Sequence, residues 1–416
     1  IGLIDYECTL STSGEQTAFT MGTLTESWKE SGRNFYHFKT QEPMVKTMSW
    51  LSGVYEKLRA SSKYQTLEMY RHPLHNQNDE HYFHGLSASL DYCSEWFGPL
   101  KYDTMKIIEF PETKGTWATV NGNIIPYSES YFFCDVSDAE NDMFNIPFFV
   151  SAHEIAHSWW GHQMDPANIK GSRIISEGMA DYLALKAVEK EFGSSKMLEL
   201  KKKYHDLYLE QRTYKGNETS LIYADMENEY LNYRKSALAI LTMSEYLGEA
   251  TFNNQMGKFL KQFPSSKAPF PTSLDFVTSI KAITPDSLLY LVEDMFERMI
   301  IYDNELRNVT VEESNKGFLI SLELDVTKYR SDAKGKRSYG ENPLNDGEKQ
   351  SVALNDYVMV GFYNENQELI AYRTFRVSQI RNSFKLNLPE KPYEIVIDPN
   401  YLLMDINREN DTWKLN

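Results

Sequence analysis

The sequence predicts an α+β fold in which a mainly helical region is followed by an antiparallel β-sandwich. Between residues 174 and 296, apolar residues recur at helical spacing, and short segments rich in Gly, Pro and Ser separate the helices. From about residue 304 the pattern changes to short runs in which apolar and polar residues alternate, which is typical of strands with one buried face. The length of 416 residues is enough for two or three domains.

The region before the long helices is predicted to contain both strands and helices. Residues 1–42 show short apolar alternations broken by glycines, and we interpret them as strands from the end of an N-terminal β domain. The pattern then predicts helices over Pro43–Ser61 and Glu80–Phe97, and strands over Thr66–Arg71 and Met105–Phe110. The predicted domains are residues 1–42, a catalytic domain over residues 43–303 and a β-sandwich over residues 304–416.

The remaining elements follow the two patterns described above. Helical spacing predicts helices over Ile174–Phe192, Lys196–Arg212, Tyr230–Leu247, Ala250–Phe263, Ser273–Ala282 and Asp286–Phe296. Alternation predicts strands over Phe318–Val326, Asp356–Tyr363, Leu369–Val377, Phe384–Leu388 and Glu394–Ile397.

The charge of the chain is strongly acidic. Its 59 Asp and Glu residues outnumber 43 Lys and Arg residues, which gives a formal net charge of −16. Nucleic acid and anionic membrane surfaces repel such a charge, so neither is expected as a partner. No apolar run approaches the roughly 18–20 residues that span a bilayer, and no signal peptide is visible in the sequence, which starts at Ile1 without Met. A mature protein and a fragment of a longer one both fit this start, so the sequence leaves the compartment open.

Residues 153–157 have the pattern of a zinc site on a helix. Residues four apart lie on one helical face, so His153 and His157 can offer two imidazoles to one metal ion at about 2.0–2.1 Å. Glu154 then lies beside the ion and can take a proton from a metal-bound water, whose pKa falls to about 7 on zinc. A pair of hydrogen-bonded core histidines is the alternative, because so short a pattern also occurs by chance.

A second helix supplies the missing ligand in this interpretation. Glu177 lies near the start of the predicted helix Ile174–Phe192, with 19 residues between it and His157. Its carboxylate can complete a three-ligand site. Asp181 lies one turn further along the same face, where it can accept the free ring N–H of a ligating histidine. The sequence therefore predicts a site of His153, His157 and Glu177 with Asp181 behind it.

These motifs resemble those of the gluzincin zinc aminopeptidases, the family of the alanyl aminopeptidases and leukotriene hydrolase. The resemblance covers roughly residues 45–300 and implies a thermolysin-like, mainly helical zinc peptidase domain. It rests on the following motif residues: His153, Glu154, His157, Trp159-Trp160-Gly161, Glu177-Gly178 and Tyr233-Arg234-Lys235. More narrowly, residues 127–130 and 159–163 are similar to a peptidase-like domain at the C-terminal end of large bacterial ABC-type permeases. That similarity implies an extramembrane part of a membrane protein, tethered to a permease.

The family resemblance also implies roles for individual residues. It makes His153, His157 and Glu177 the zinc ligands and Glu154 the general base. Tyr233 would donate a hydrogen bond to the oxyanion of the tetrahedral intermediate, where the charge develops only in the transition state. The family's exopeptidase signature (Gly, Ala or Gly, Met, Glu, Asn) is absent, and Pro126-Tyr127-Ser128-Glu129-Ser130 stands in its place. Glu129 is the candidate for binding the substrate's α-amino group.

Two functions follow as hypotheses. The first is a zinc metallopeptidase, an aminopeptidase that removes N-terminal residues from peptides. The second is a peptide-binding or sensing domain of a membrane permease with little or no hydrolytic activity, which the altered exopeptidase signature keeps open. Four further histidines follow no ligand pattern and are interpreted as solvated surface residues: His72, His75, His81 and His84.

Overall fold

The computed structural model describes residues 3–136, 145–215, 217–334, 337–338 and 354–415. Its contacts divide the chain into two units, one of residues 1–200 with 249–279 and one of residues 201–248 with 280–416. The domain boundaries after residues 42 and 303 rest on the sequence pattern alone and stay predictions. Within the described residues, no helix is both long and apolar enough to cross a membrane.

The first unit contains small antiparallel sheets and one larger mixed sheet. In the larger sheet, β8 (Glu56–Ser61) is antiparallel to β9 (Thr66–Arg71), whereas β9, β10 (Thr104–Phe110) and β11 (Ile124–Ser128) run parallel. The strand order is β11-β10-β9-β8. The strands are β1 (Leu3–Ile4), β2 (Glu7–Ser13), β3 (Thr17–Phe19), β4 (Thr23–Glu30), β5 (Arg33–Lys39), β6 (Met44–Val45), β7 (Leu51–Gly53), β8 (Glu56–Ser61), β9 (Thr66–Arg71), β10 (Thr104–Phe110) and β11 (Ile124–Ser128).

The three parallel strands are buried along nearly their whole length. Such burial is typical of parallel strands, whose sequences are close to continuous apolar runs. Because parallel strands end at the same edge of a sheet, the residues that follow β9, β10 and β11 are brought together there.

The predicted helix Pro43–Ser61 is wrong, because this stretch forms β6, β7 and β8. Its Glu, Lys, Leu, Arg and Ala residues favour a helix, which misled the prediction. Residues Glu56–Ser61 instead pair with Thr66–Arg71 in an antiparallel register. Sheet pairing with a neighbouring strand therefore overrides the local helix propensity.

The helices of the first unit carry the candidate site. Helix α1 (Asp79–Phe97) lies directly against α2 (Ile146–Ala156), and a Cβ added at Gly85 would stand 2.3 Å from the carbonyl oxygen of Phe148. The Ser89 hydroxyl donates to the Ala152 carbonyl oxygen at 2.8 Å, which ties the two helices together. The α-helices of both units, in chain order, are α1 (Asp79–Phe97), α2 (Ile146–Ala156), α3 (Arg173–Phe192), α4 (Ser194–Lys215), α5 (Ser236–Leu247), α6 (Glu249–Gln262), α7 (Ser273–Lys281) and α8 (Leu289–Val292).

The second unit contains two four-stranded antiparallel sheets, as the alternating pattern predicts. One sheet joins β12, β13, β14 and β17, and the other has the order β16-β15-β18-β19. The rings of Phe375 and Phe384 stack between the two sheets at 4.3 Å. The strands are β12 (Ile300–Ser314), β13 (Gly317–Ser331), β14 (Arg337–Ser338), β15 (Asp356–Tyr363), β16 (Leu369–Val377), β17 (Arg381–Leu388), β18 (Glu394–Ile397) and β19 (Thr412–Lys414).

Candidate metal centre

The structure brings the three predicted metal ligands together. The Nε2 atoms of His153 and His157 lie 3.0 Å apart, and Glu177 Oε2 lies 3.4 Å from the first and 3.1 Å from the second. Ligands on a tetrahedral zinc ion at 2.0–2.1 Å are separated by about 3.3 Å. The three observed separations match that value, so these residues fit a zinc ion.

The local structure explains this convergence. Helix α2 carries His153 in its last turn, and His157 caps the helix with helical backbone angles, so both rings point from one face. Helix α3 begins at Arg173, which places Glu177 about one turn inside it. The α2 helix is held by buried residues such as Phe148 and Ile155, so its position is set by the core.

Hydrogen bonds orient both imidazoles for metal binding. The Nδ1 atom of His157 lies 3.0 Å from the carbonyl oxygen of Trp160, an atom that only accepts, so Nδ1 carries the proton. The Nδ1 atom of His153 faces the Asp181 carboxylate at 2.7 Å in the same way. Each Nε2 is therefore the ring nitrogen that faces the shared point, where a metal ion would replace any proton that it carries.

The electrostatic environment between His153, His157 and Glu177 favours a positive charge. Burial alone would lower the pKa of His153, but hydrogen bonds to Asp181 and Glu177 outweigh it and raise that pKa to about 10. Burial likewise opposes the charge on Glu177, yet the neighbouring His157 and His153 hold the pKa of its carboxyl well below its usual range. A divalent cation supplies the positive charge that this arrangement stabilises.

Glu154 is buried beside the imidazoles, and a backbone N–H group holds its carboxylate. Its Oε2 atom accepts a hydrogen bond from the Val120 N–H at 3.0 Å, and burial raises the pKa of its carboxyl. Val120 lies in the segment between β10 and β11, whose Asn121 bridges to Ile124. Sequence reasoning missed Val120, because any residue other than proline supplies a backbone N–H.

Replacing Asp181 by Asn is expected to weaken metal binding about 10–100-fold, because the neutral amide polarises His153 less than the carboxylate does. Equilibrium dialysis with zinc measures the change. Glu191→Gln is the matched control, since Glu191 lies on the same helix but pairs with His84. An Asp181→Asn affinity equal to that of the control would contradict the role.

Tyr233 lies in a π-helical segment, Tyr230–Lys235, that leads into α5 in the second unit. Such segments are rare and occur frequently at functional sites. The end of this one is anchored by the buried Lys235, whose ammonium group pairs with Glu218 at 2.9 Å. Glu218 also accepts from Arg212 Nε at 2.7 Å. The catalytic role of Tyr233 itself stays a prediction.

Glu129 begins a short 3-10 helix directly after β11. Its Oε1 atom accepts a hydrogen bond from the Glu112 N–H at 2.7 Å. Among the described residues, it groups with His75 and Glu109 and not with the three zinc-site residues, so its amine-binding role stays a prediction. The interpretation of His75 as a solvated residue is wrong, because its side chain is 15% exposed and contacts Glu109.

The middle region of the chain matches a known protein family. The model of the peptidase family M1 domain matches residues 83–295, which are half of the chain. Leucyl aminopeptidase of Saccharolobus solfataricus is 23% identical over 256 residues, which cover 58% of this chain and 31% of that protein. The chain thus spans about a third of the length of this curated relative.

Solved structures resemble this one over most of its length. Aminopeptidase A of Legionella pneumophila, solved with aspartic acid, covers 97% of this chain and 44% of its own, with a TM-score of 0.65 and 15% identity. A variant of an M1 zinc metallopeptidase from Deinococcus radiodurans covers 70% of this chain and 64% of its own, with a TM-score of 0.54 and 16% identity. At such identities the likeness concerns the fold, and it confirms the predicted α+β class.

Proposed function

The chain belongs to peptidase family M1, and from that premise we propose that it is a zinc-dependent aminopeptidase that removes N-terminal residues from peptides. The observation that carries the proposal is the convergence of His153, His157 and Glu177 with Glu154 beside them. Three protein ligands leave a fourth position open for water, which is the arrangement of catalytic and not of structural zinc sites.

Each residue of the proposed site has its own role in the reaction. His153, His157 and Glu177 would hold a zinc ion, which would supply the Lewis acidity that activates a water molecule and polarises the scissile carbonyl. Glu154 accepts the proton of the attacking water and passes it to the leaving amine. Tyr233 donates a hydrogen bond to the developing oxyanion.

Replacing Tyr233 by Phe is expected to lower kcat about 10²–10³-fold with little change in KM, because the lost donor acts mainly in the transition state. Steady-state kinetics on a dipeptide or an aminoacyl amide measure both constants. The control is Tyr230→Phe, whose hydroxyl contacts Asn217 at 3.3 Å. A loss in the Tyr230 variant and none in the Tyr233 variant would move the role to Tyr230.

Replacing Glu129 by Ala is expected to weaken the binding of peptides with a free α-amino group more than that of N-acetylated peptides of the same sequence. The reason is that a carboxylate attracts the ammonium group and not the blocked amide. Comparing KM for the two peptide series measures the difference. Equal losses in both series would argue for an endopeptidase.

The alternative is a peptide-binding or sensing domain attached to a membrane permease. The absence of the family's exopeptidase signature upstream of the metal helix supports it. The relation to permeases rests on the short similarity at residues 127–130 and 159–163 and is part of this second proposal.

Incubating the zinc-loaded protein with a mixed peptide library separates the two functions. Products shortened from the N-terminus support the aminopeptidase, whereas peptides that are retained uncut support the binding domain. Mass spectrometry of bound and free peptides distinguishes the two outcomes.

A further inference from the structure

The carboxyl edge of β9, β10 and β11 carries a second group of metal-ligand type. His75 lies in the turn after β9, Glu109 lies at the end of β10, and Glu129 follows β11. One ligand atom from each lies within 4.8 Å of the others. The parallel register pairs Glu109 with Tyr127 near the ends of β10 and β11, and Glu129 follows two residues after Tyr127. This edge of an open sheet is where ligands commonly bind.

Backbone N–H groups hold both carboxylates in place. Glu109 Oε2 accepts from the His72 N–H at 2.6 Å, and Glu129 Oε1 accepts from the Glu112 N–H at 2.7 Å. The second oxygen of Glu109 faces His75 Nδ1. Carboxylates that are oriented in this way lose little freedom when they bind a metal ion.

The ring of His75 is also held from two sides. Phe133 contacts it edge-on, with ring centroids 4.5 Å apart, and the ring of His72 lies 4.6 Å away. The side chain of His75 is 15% exposed and that of Glu109 is 5% exposed. Both of these side chains are therefore largely shielded from solvent.

The two carboxylates of this group, Glu109 and Glu129, favour a bound cation. Within the part of the chain that the structure describes, no lysine or arginine pairs with Glu109 or Glu129. Arg71, at the end of β9, pairs with Glu56 and Asp79 instead. Two carboxylates close together, with one imidazole as their neighbour, are stabilised by a positive ion between them.

We propose that His75, Glu109 and Glu129 bind a second divalent transition-metal ion. One imidazole with two carboxylates suits an ion such as Zn²⁺ or Mn²⁺ better than Ca²⁺, which takes oxygen ligands alone. The ion takes the place of the proton between His75 Nδ1 and Glu109 Oε1, and the neutral imidazole carries its single proton on Nε2 instead. The two atoms then separate from 2.5 Å to about 3.3 Å, as two ligands of one ion require.

Metal stoichiometry tests the proposal. After zinc removal and equilibrium dialysis against Zn²⁺, the wild-type chain is expected to hold two ions, and His75→Gln and Glu109→Gln one each. His84→Gln is the matched control, because His84 also pairs with a glutamate, Glu191, at 2.7 Å but on the surface. One ion in the wild type, or two in both variants, overturns the proposal.

A second measurement does not depend on the folding of those variants. In the double variant His153→Ala and His157→Ala, which has no imidazole left among the ligands of the first site, the remaining zinc is expected to show X-ray absorption scattering from a single imidazole and from oxygen ligands. Remaining zinc without imidazole scattering, or no remaining zinc, overturns the proposal. Because Glu129 is also proposed to bind an ammonium group, both tests measure metal content and not cleavage, so either proposal can fail alone.

Discussion

Replacing Glu154 by Gln is expected to lower kcat/KM on peptides by at least about 10³-fold while the bound zinc remains. General acid–base catalysis contributes about 10²–10⁴-fold, and Glu154 is proposed to handle the proton twice in each turnover. The amide of Gln has the shape of the carboxyl group and can still accept from the Val120 N–H, but it cannot take a proton from water.

Metal analysis and peptide kinetics on the same preparation check this expectation. The control is Glu95→Gln, because Glu95 lies at the end of α1 and pairs only with Lys190 among the described residues. Undiminished hydrolysis by Glu154→Gln would refute the assignment of the general base. Loss of zinc together with activity would show that the variant had disturbed the ligands.

Replacing Glu177 by Ala is expected to remove both zinc and activity. It deletes one of three ligands and leaves His153 and His157 without the carboxylate that faces both Nε2 atoms. The expected loss of zinc affinity exceeds the roughly 10–100-fold that follows from changing a residue behind the ligands, such as Asp181. Equilibrium dialysis of Glu177→Ala and Asp181→Asn with zinc measures which variant loses more affinity.

Glu189→Ala is the control for this second prediction, since Glu189 lies on the same helix and pairs with Lys186. The unfolding midpoint of each variant, recorded without metal, separates a lost ligand from a lost fold. Zinc content and kcat equal to those of the control would remove Glu177 from the site.

The local part of the candidate site was predictable from the sequence. The distance between His153 and His157 depends on the geometry of the helix that their spacing indicates, and α3 forms close to where apolar spacing predicts it. Gly193 caps the end of α3, where the predicted helix Ile174–Phe192 also ends. The strand pattern also predicted Asp356–Tyr363 and Leu369–Val377 with their observed bounds.

The contacts between distant segments were decided only by the tertiary structure. The N–H of Val120 on Glu154, and the pairing of His75 with Glu109, join residues 34 apart in the chain. The strand Glu56–Ser61 was likewise decided by its pairing, because the contact with Thr66–Arg71 outweighs the helix propensity of its residues.

The sequence by itself determined the identity and spacing of the predicted zinc ligands and most helices and strands, because helical and strand periodicities are short-range properties of the chain. Only the tertiary structure decided which backbone group holds Glu154 and which carboxylate faces His75. Such pairings depend on how strands align in a sheet, and that alignment leaves no periodic trace in the sequence.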